Sequence, residues 1–234
     1  MIKEKTVGEM VVNDGRVATV FNKFGLDFCC NGHQTLEAAC ASKGINLQEI
    51  VDDIELLMKN DSNPDRSFND MSLDKLIEHI YDKHHQYIYK NCPAISKFIN
   101  KVANVHGKNH PETIEIAKMF DELQLELEQH LFKEEHILFP YVKGMVLEDK
   151  CPGSFVNGPI SVMMEEHDNA GRILEVLRRI SNNYKPPKDA CNTFRAAYVN
   201  LQALEEDLHM HIHLENNILF PKAIELENSL LENV

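Results

Sequence analysis

The eleven residues from His130 to Pro140 read HLFKEEHILFP, and the eleven from His211 to Pro221 read HIHLENNILFP. Both fit H-x-x-x-E-x-x-I-L-F-P, so one cassette occurs twice. The repeat extends upstream: His85 lies 45 residues before His130, and His167 lies 44 before His211. The pattern implies two helix pairs, each with a lone His on its first helix and His-x-x-x-Glu on its second. Residues i and i+4 share a helix face, so His130 points with Glu134 and His211 with Glu215.

Those residues also fall on apolar stripes. Ile116, Phe120, Leu123, Leu127, His130, Glu134 and Ile137 step by four and three, as do Leu201, Leu204, Leu208, His211, Glu215 and Ile218. Such spacing marks the buried seam of a helical bundle. An ionised Glu there costs several kcal/mol unless it is paired or on a metal. A structural His–Glu hydrogen bond would explain one cassette. Two cassettes with matched upstream histidines point instead to metal, held by His85, His130, Glu134, His167, His211 and Glu215.

Nitrogen and oxygen donors with no thiolate on the seam argue against an iron–sulfur cluster and against a cysteine-type zinc site. Four His and two Glu suit two iron or manganese ions, each with two imidazoles and bridged by both carboxylates. With a bridging oxo or hydroxo group, an octahedral ion keeps one position for a small molecule. Such a site is built to react or exchange.

Strand patterns are absent, so the chain is expected to be all-α. Short helices are expected near 6–12, 15–25, 34–43 and 47–59, punctuated by Gly25, Gly32 and Gly44. Residues 60–70, NDSNPDRSFND, read as a linker. This gives a small helical domain at 1–59 and a four-helix bundle at 71–234. The bundle helices are expected at about 72–91, with an interruption near Pro93 and a continuation to 106, then 112–143, 159–183 and 189–230. Ser72 and Asp189 are expected N-caps, and Lys150–Gly153 and Lys185–Pro187 are expected turns. Every expected ligand follows the linker, so a chain starting near Ser67 is expected to fold and bind metal.

The 234 residues carry a net charge of −13 and 43% hydrophobic residues. That charge argues against nucleic acid and anionic membrane surfaces. No apolar run reaches the roughly 20 residues of a membrane span, and MIKEKTVGEM lacks a signal-peptide core. A cytoplasmic location is therefore expected.

Not every histidine is an expected ligand. His209 and His213 sit about 200° around the helix from His211 and should face away from its metal. Glu135 and His136 align with Asn216 and Asn217, so the repeat does not support them. His84 adjoins His85; the repeat spacing selects His85. His106 is open between a surface or capping residue and a replaceable ligand or gate. The six cysteines are scattered except for Cys29–Cys30 and read as reduced thiols. The turn F-C-C-N-G at 28–32 should expose at least one sulfur. Cys40, Cys92, Cys151 and Cys191 read as incidental.

These motifs resemble the hemerythrin-like di-iron proteins of the YtfE/ScdA type, the repair of iron centers family. The resemblance rests on His85, the two cassettes, G-P-I-S-V-M at 158–163, E-H-D at 166–168, T-V-G-E at 6–9 and F-C-C-N-G with T-L at 35–36. It covers nearly the whole chain. One departure is Asn31-Gly32 followed by His33, where the family commonly has two glycines. The resemblance implies a hemerythrin-like bundle preceded by a ScdA-type domain. It implies two oxo- or hydroxo-bridged iron ions on His85, His130, His167 and His211, with Glu134 and Glu215 bridging. The implied function is repair of iron–sulfur clusters damaged by nitric oxide or oxidants, with damaged iron–sulfur proteins as partners. Nitric oxide or oxygen is the implied small-molecule ligand. It gives Cys29 and Cys30 a redox or iron-transfer role. Two alternatives stay open: a nitric oxide-reducing enzyme at the same site, and an oxygen or nitric oxide sensor or carrier. A homodimer is also open.

Overall fold

A computed structural model describes residues 2–59, 68–148, 150 and 155–232. The described residues form helices and no strand; Thr6 and Thr35 make one isolated antiparallel bridge. The all-α expectation is borne out. Contacts divide the chain into two compact units, 1–78 with 142–157 and 209–234, and 79–141 with 158–208. This division follows a different line from the one drawn at residues 60–70. Residues 60–67, Cys151 and most of the expected turn at Lys150–Gly153 lie outside the described residues.

In the first unit, α1 (Val7–Asn13), α2 (Val17–Phe24), α3 (Leu36–Lys43) and α4 (Leu47–Lys59) match the short helices expected. Thr6 Oγ1 and Thr35 Oγ1 accept from the backbone N–H of Glu9 and Ala38, both at 3.2 Å, and so cap α1 and α3. Gly25 and Gly44 end α2 and α3 with φ of 68° and 66°, where a side chain would be strained. The buried core of this unit joins Val7, Phe21, Phe28, Leu36, Ile50 and Ile54 to Ile212. The N-terminal segment therefore shares a core with the C-terminal cassette. A chain starting near Ser67 would uncover Ile212.

The second unit is a four-helix bundle. Its long helices include α6 (Gln86–His106), α7 (Glu112–Lys133) and α9 (Asn157–Ile180), together with residues of α10 (Asn192–Leu214). α5 (Leu73–Ile80) precedes α6. Asp121 accepts from Ser96 and Asn100, while Glu135 meets His85 and Tyr89, so the α6 and α7 segments run antiparallel. Ile88, Ile99, Phe120, Leu127, Leu174 and Leu204 lie in its core. Arg178 of α9 donates two hydrogen bonds to the buried carboxylate of Glu205 on α10.

Two expectations are corrected. α6 is not interrupted at Pro93. Buried Cys92 and Ile95 flank the proline, which faces solvent, so packing outweighs the lost backbone bond and water can meet the freed Tyr89 carbonyl. Asp189 does not cap α10; the helix begins at Asn192, and Asp189 binds His110 instead.

Candidate metal centre

Three turns depart from α-helical winding: the π-helical segments Tyr81–His85, Glu134–Leu138 and Glu215–Leu219. Each contains one of the expected ligands. The extra residue shifts every following side chain, which is how π-turns re-aim groups at sites. It explains a departure from the seam. Ile137 is 47% exposed and Leu138 1%, the reverse of what a regular helix predicts.

In the second unit, His85, His130, Glu134 and His167 are all buried. His85 Nε2 is 3.4 Å from Glu134 Oε2, and His130 Nε2 is 3.3 Å from Glu134 Oε1. His130 Nε2 and His167 Nε2 stand 3.0 Å apart. In the first unit, His211 Nε2 lies 3.2 Å from Glu215 Oε1, and both are buried.

Outer carboxylates set the tautomers. Glu135 Oε1 accepts from His85 Nδ1 at 2.8 Å, and Glu166 Oε2 accepts from His130 Nδ1 at 2.9 Å. A neutral imidazole that donates from Nδ1 presents a bare lone pair at Nε2. Those lone pairs face Glu134 oxygens, which are also acceptors, so a cation fits between them. The spacing agrees. Donors at about 2.1 Å from one ion stand about 3.0–3.4 Å apart at octahedral to tetrahedral angles. The residues present fit nitrogen- and oxygen-ligated transition-metal ions. Hydrogen bonds from His130 and Lys133 hold the Glu166 carboxyl below the usual range against the opposing effect of burial.

Glu135 and Glu166 were not picked out from the repeat. The available signal was chemical: a ligating imidazole needs a partner for its other nitrogen. Glu166→Gln is expected to weaken metal binding about tenfold, read by competition with a chelator. Unchanged affinity would remove Glu166 from the site.

The structure sorts the remaining histidines. His84 Nδ1 is 3.0 Å from Asp207 Oδ1. His136 Nδ1 bonds the Phe132 carbonyl, and His209 Nδ1 bonds Asn22. His213 stacks edge-on against Phe28, 5.6 Å between centroids. His106 is not brought to the donors; it ends α6, and its Nε2 meets Cys191 Sγ at 3.2 Å.

Cys29 and Cys30 form a third potential donor group with Asp27. Asp27 Oδ1 accepts from both cysteine N–H groups, at 3.0 and 2.9 Å, and Cys29 Sγ is 3.2 Å from the same oxygen. Cys29 is buried and Cys30 partly exposed, with 3.9 Å between their sulfurs. The hydrogen bond with Cys30, burial and the Asp27 charge push the Cys29 thiol up, so it stays protonated.

This turn is fastened to the C-terminal cassette. Asn217 Nδ2 donates to the carbonyls of Phe28 and Cys29, and Asn216 Nδ2 donates to that of Cys29. Asn216 and Asn217 stand where the other cassette has Glu135 and His136. One copy of the repeat thus orients a ligand while the other holds the cysteine turn. The approach is close: a Cβ on Gly32 would lie 2.5 Å from Asn217 Oδ1 and 2.9 Å from the Phe28 carbonyl, and one on Gly8 2.8 Å from Asn217 Oδ1. Gly32→Ala is expected to destabilise the protein by about 1–3 kcal/mol and to speed alkylation of Cys29. Unchanged unfolding midpoint and Cys29 labelling would sink that packing argument.

Comparison with known proteins agrees with this geometry. The model of the Hemerythrin HHE cation binding domain matches residues 76–223. The ScdA_N model, described as a domain of unknown function, matches residues 3–58. The chain is 38% identical over 223 residues to the iron-sulfur cluster repair protein YtfE of Enterobacter sp. (strain 638), covering 95% of this chain and 97% of that protein. The proteins of the same name from Citrobacter koseri and an Escherichia coli strain are each 36% identical over the same shares. No helix among the described residues is long and apolar enough to cross a membrane. A chain with a hemerythrin bundle, a ScdA-type N-terminal segment and such relatives belongs to the hemerythrin-like family of iron-sulfur cluster repair proteins.

Proposed function

We propose that this protein restores damaged iron–sulfur clusters, using two iron ions held by His85, His130, Glu134, His167, His211 and Glu215. The carrying observation is the duplicated cassette with its donors buried inside each unit: His85 and His130 face Glu134 with His167 beside His130, and His211 faces Glu215. The repeat gives Glu134 and Glu215 equivalent places, which supports a matching, bridging role for the two carboxylates. Full-length relatives named for cluster repair support the client class.

On this reading residues 71–234 are the metal-holding part and 1–59 the cysteine-bearing part, joined by 60–70. The bound ions would supply one-electron chemistry and exchangeable iron. The residues do the rest. Glu135 and Glu166 keep His85 and His130 in the ligating tautomer. The buried donors exclude bulk water, and Cys30 offers an accessible sulfur beside the protonated Cys29. Damaged iron–sulfur proteins are the partners, and nitric oxide or oxygen the small-molecule ligand. The net charge of −13 disfavours nucleic acid.

The test loads the full chain with isotopically labelled iron. It is then incubated, reduced, with a cluster enzyme damaged by nitric oxide. Recovered enzyme activity with label in the client is expected. In a parallel vessel without client, nitric oxide loss and product gas are followed. Gas production without client recovery would replace repair by nitric oxide reduction.

A further inference from the structure

Cys191 carries no motif and lies outside every donor group described above. It is exposed and immediately precedes α10. It stands at the N-cap place that Asp189 was expected to fill, directly before the first backbone N–H groups of the helix. A helix start alone would not make a site. Here an imidazole is added from another helix: His106 Nε2 lies 3.2 Å from Cys191 Sγ. That imidazole is itself positioned. Its ring packs on Phe194 at 5.3 Å and approaches His110 at 6.3 Å. His110 in turn bonds Glu112 and Asp189. Helix dipole, capping N–H groups and a proton-accepting imidazole together favour a thiolate.

We infer that Cys191 and His106 form a thiol-exchange site, where Cys191 is reversibly modified by low-molecular-weight disulfides. The thiol proton passes to His106 Nε2. The Cys191 thiolate attacks one sulfur of the disulfide, a new S–S bond forms, and the old one breaks. The departing thiolate takes the proton from His106 and leaves as a free thiol. Cys191 is oxidised and the departing sulfur reduced, so electrons balance. An external thiol reverses the step.

The surroundings lower the Cys191 thiol to about 7, the N–H of Phe194 contributing most and His106 next. At pH 7 such a thiol is about half ionised, against about 3% for an ordinary one. Its lower basicity slows each thiolate about fivefold, leaving a net gain of about threefold. Among the described residues the other thiols are less exposed: Cys30 is partly exposed, Cys29, Cys40 and Cys92 are buried, and burial pushes Cys92 up to about 12.

The test uses the reduced full-length protein with substoichiometric oxidised glutathione at pH 7, acid-quenched and mapped by peptide mass. Cys191 is expected to carry most of the adduct, forming it about threefold faster than an unstructured peptide with the sequence of residues 186–196. His106→Gln should slow that rate at least about twofold, with helicity and iron content unchanged. Reversal by added glutathione should restore the starting mass. Cys191 reacting no faster than the peptide, or slower than Cys30 or Cys151, would overturn the inference. So would a His106→Gln protein that reacts like wild type.

Discussion

Replacing both Glu134 and Glu215 with Gln is expected to lower iron from about two ions per chain to well below one. Each carboxylate is proposed to serve both ions, whereas each histidine serves one, so any single His→Ala variant should lose less. A misfolded bundle could mimic that result, and stability separates the two. Both carboxylates are fully buried. Buried anions are costly without a cation, so the metal-free double variant should be at least as stable as metal-free wild type. What disappears is the added stability from iron, about 3 kcal/mol when free iron exceeds its dissociation constant a hundredfold. The measurements are elemental analysis and denaturant unfolding with and without iron. Near-normal iron in the double variant would end the bridging assignment.

The sequence made some of this legible and hid the rest for identifiable reasons. The short N-terminal helices were readable because αL glycines act locally: Gly25 and Gly44 end α2 and α3 where expected. The seam through Phe120, Leu123 and Leu127 was readable because regular helix spacing holds there. Reading failed just past the donors. The π-turn at Glu134–Leu138 adds a residue that no propensity announces, and it exchanges Ile137 for Leu138 on the inner face. Pro93 was over-read, since a proline facing solvent on a helix buried along its other side need not break it. The outer carboxylates failed for another reason. Comparing the two copies favours what they share, while Glu135 and Asn216 matter because the copies differ. Asn217 binds a turn almost 190 residues away in sequence, a contact that no local pattern encodes.

Changing Cys29 and Cys30 together to Ala is expected to abolish most cluster repair while leaving iron content near that of wild type. The thiols are in a donor group of their own with Asp27, apart from the histidines and glutamates proposed to hold iron. Point variants test this better than deletion of the first 66 residues. Deletion would uncover Ile212 and remove the carbonyls of Phe28 and Cys29 that Asn217 binds, on the same turn that carries Glu215. Lost repair after deletion could then reflect a disturbed ligand. In the double Ala variant, Ala fills most of the buried Cys29 volume, and the backbone N–H groups that bind Asp27 remain. Single variants divide the role further. Cys30 is the accessible sulfur, so Cys30→Ala should cost more repair than Cys29→Ala if direct attack on a client matters. Repair by the double Ala variant at the wild-type rate would leave the N-terminal segment a structural or docking role. The proposed mechanism would then rest on the histidine and glutamate donors alone.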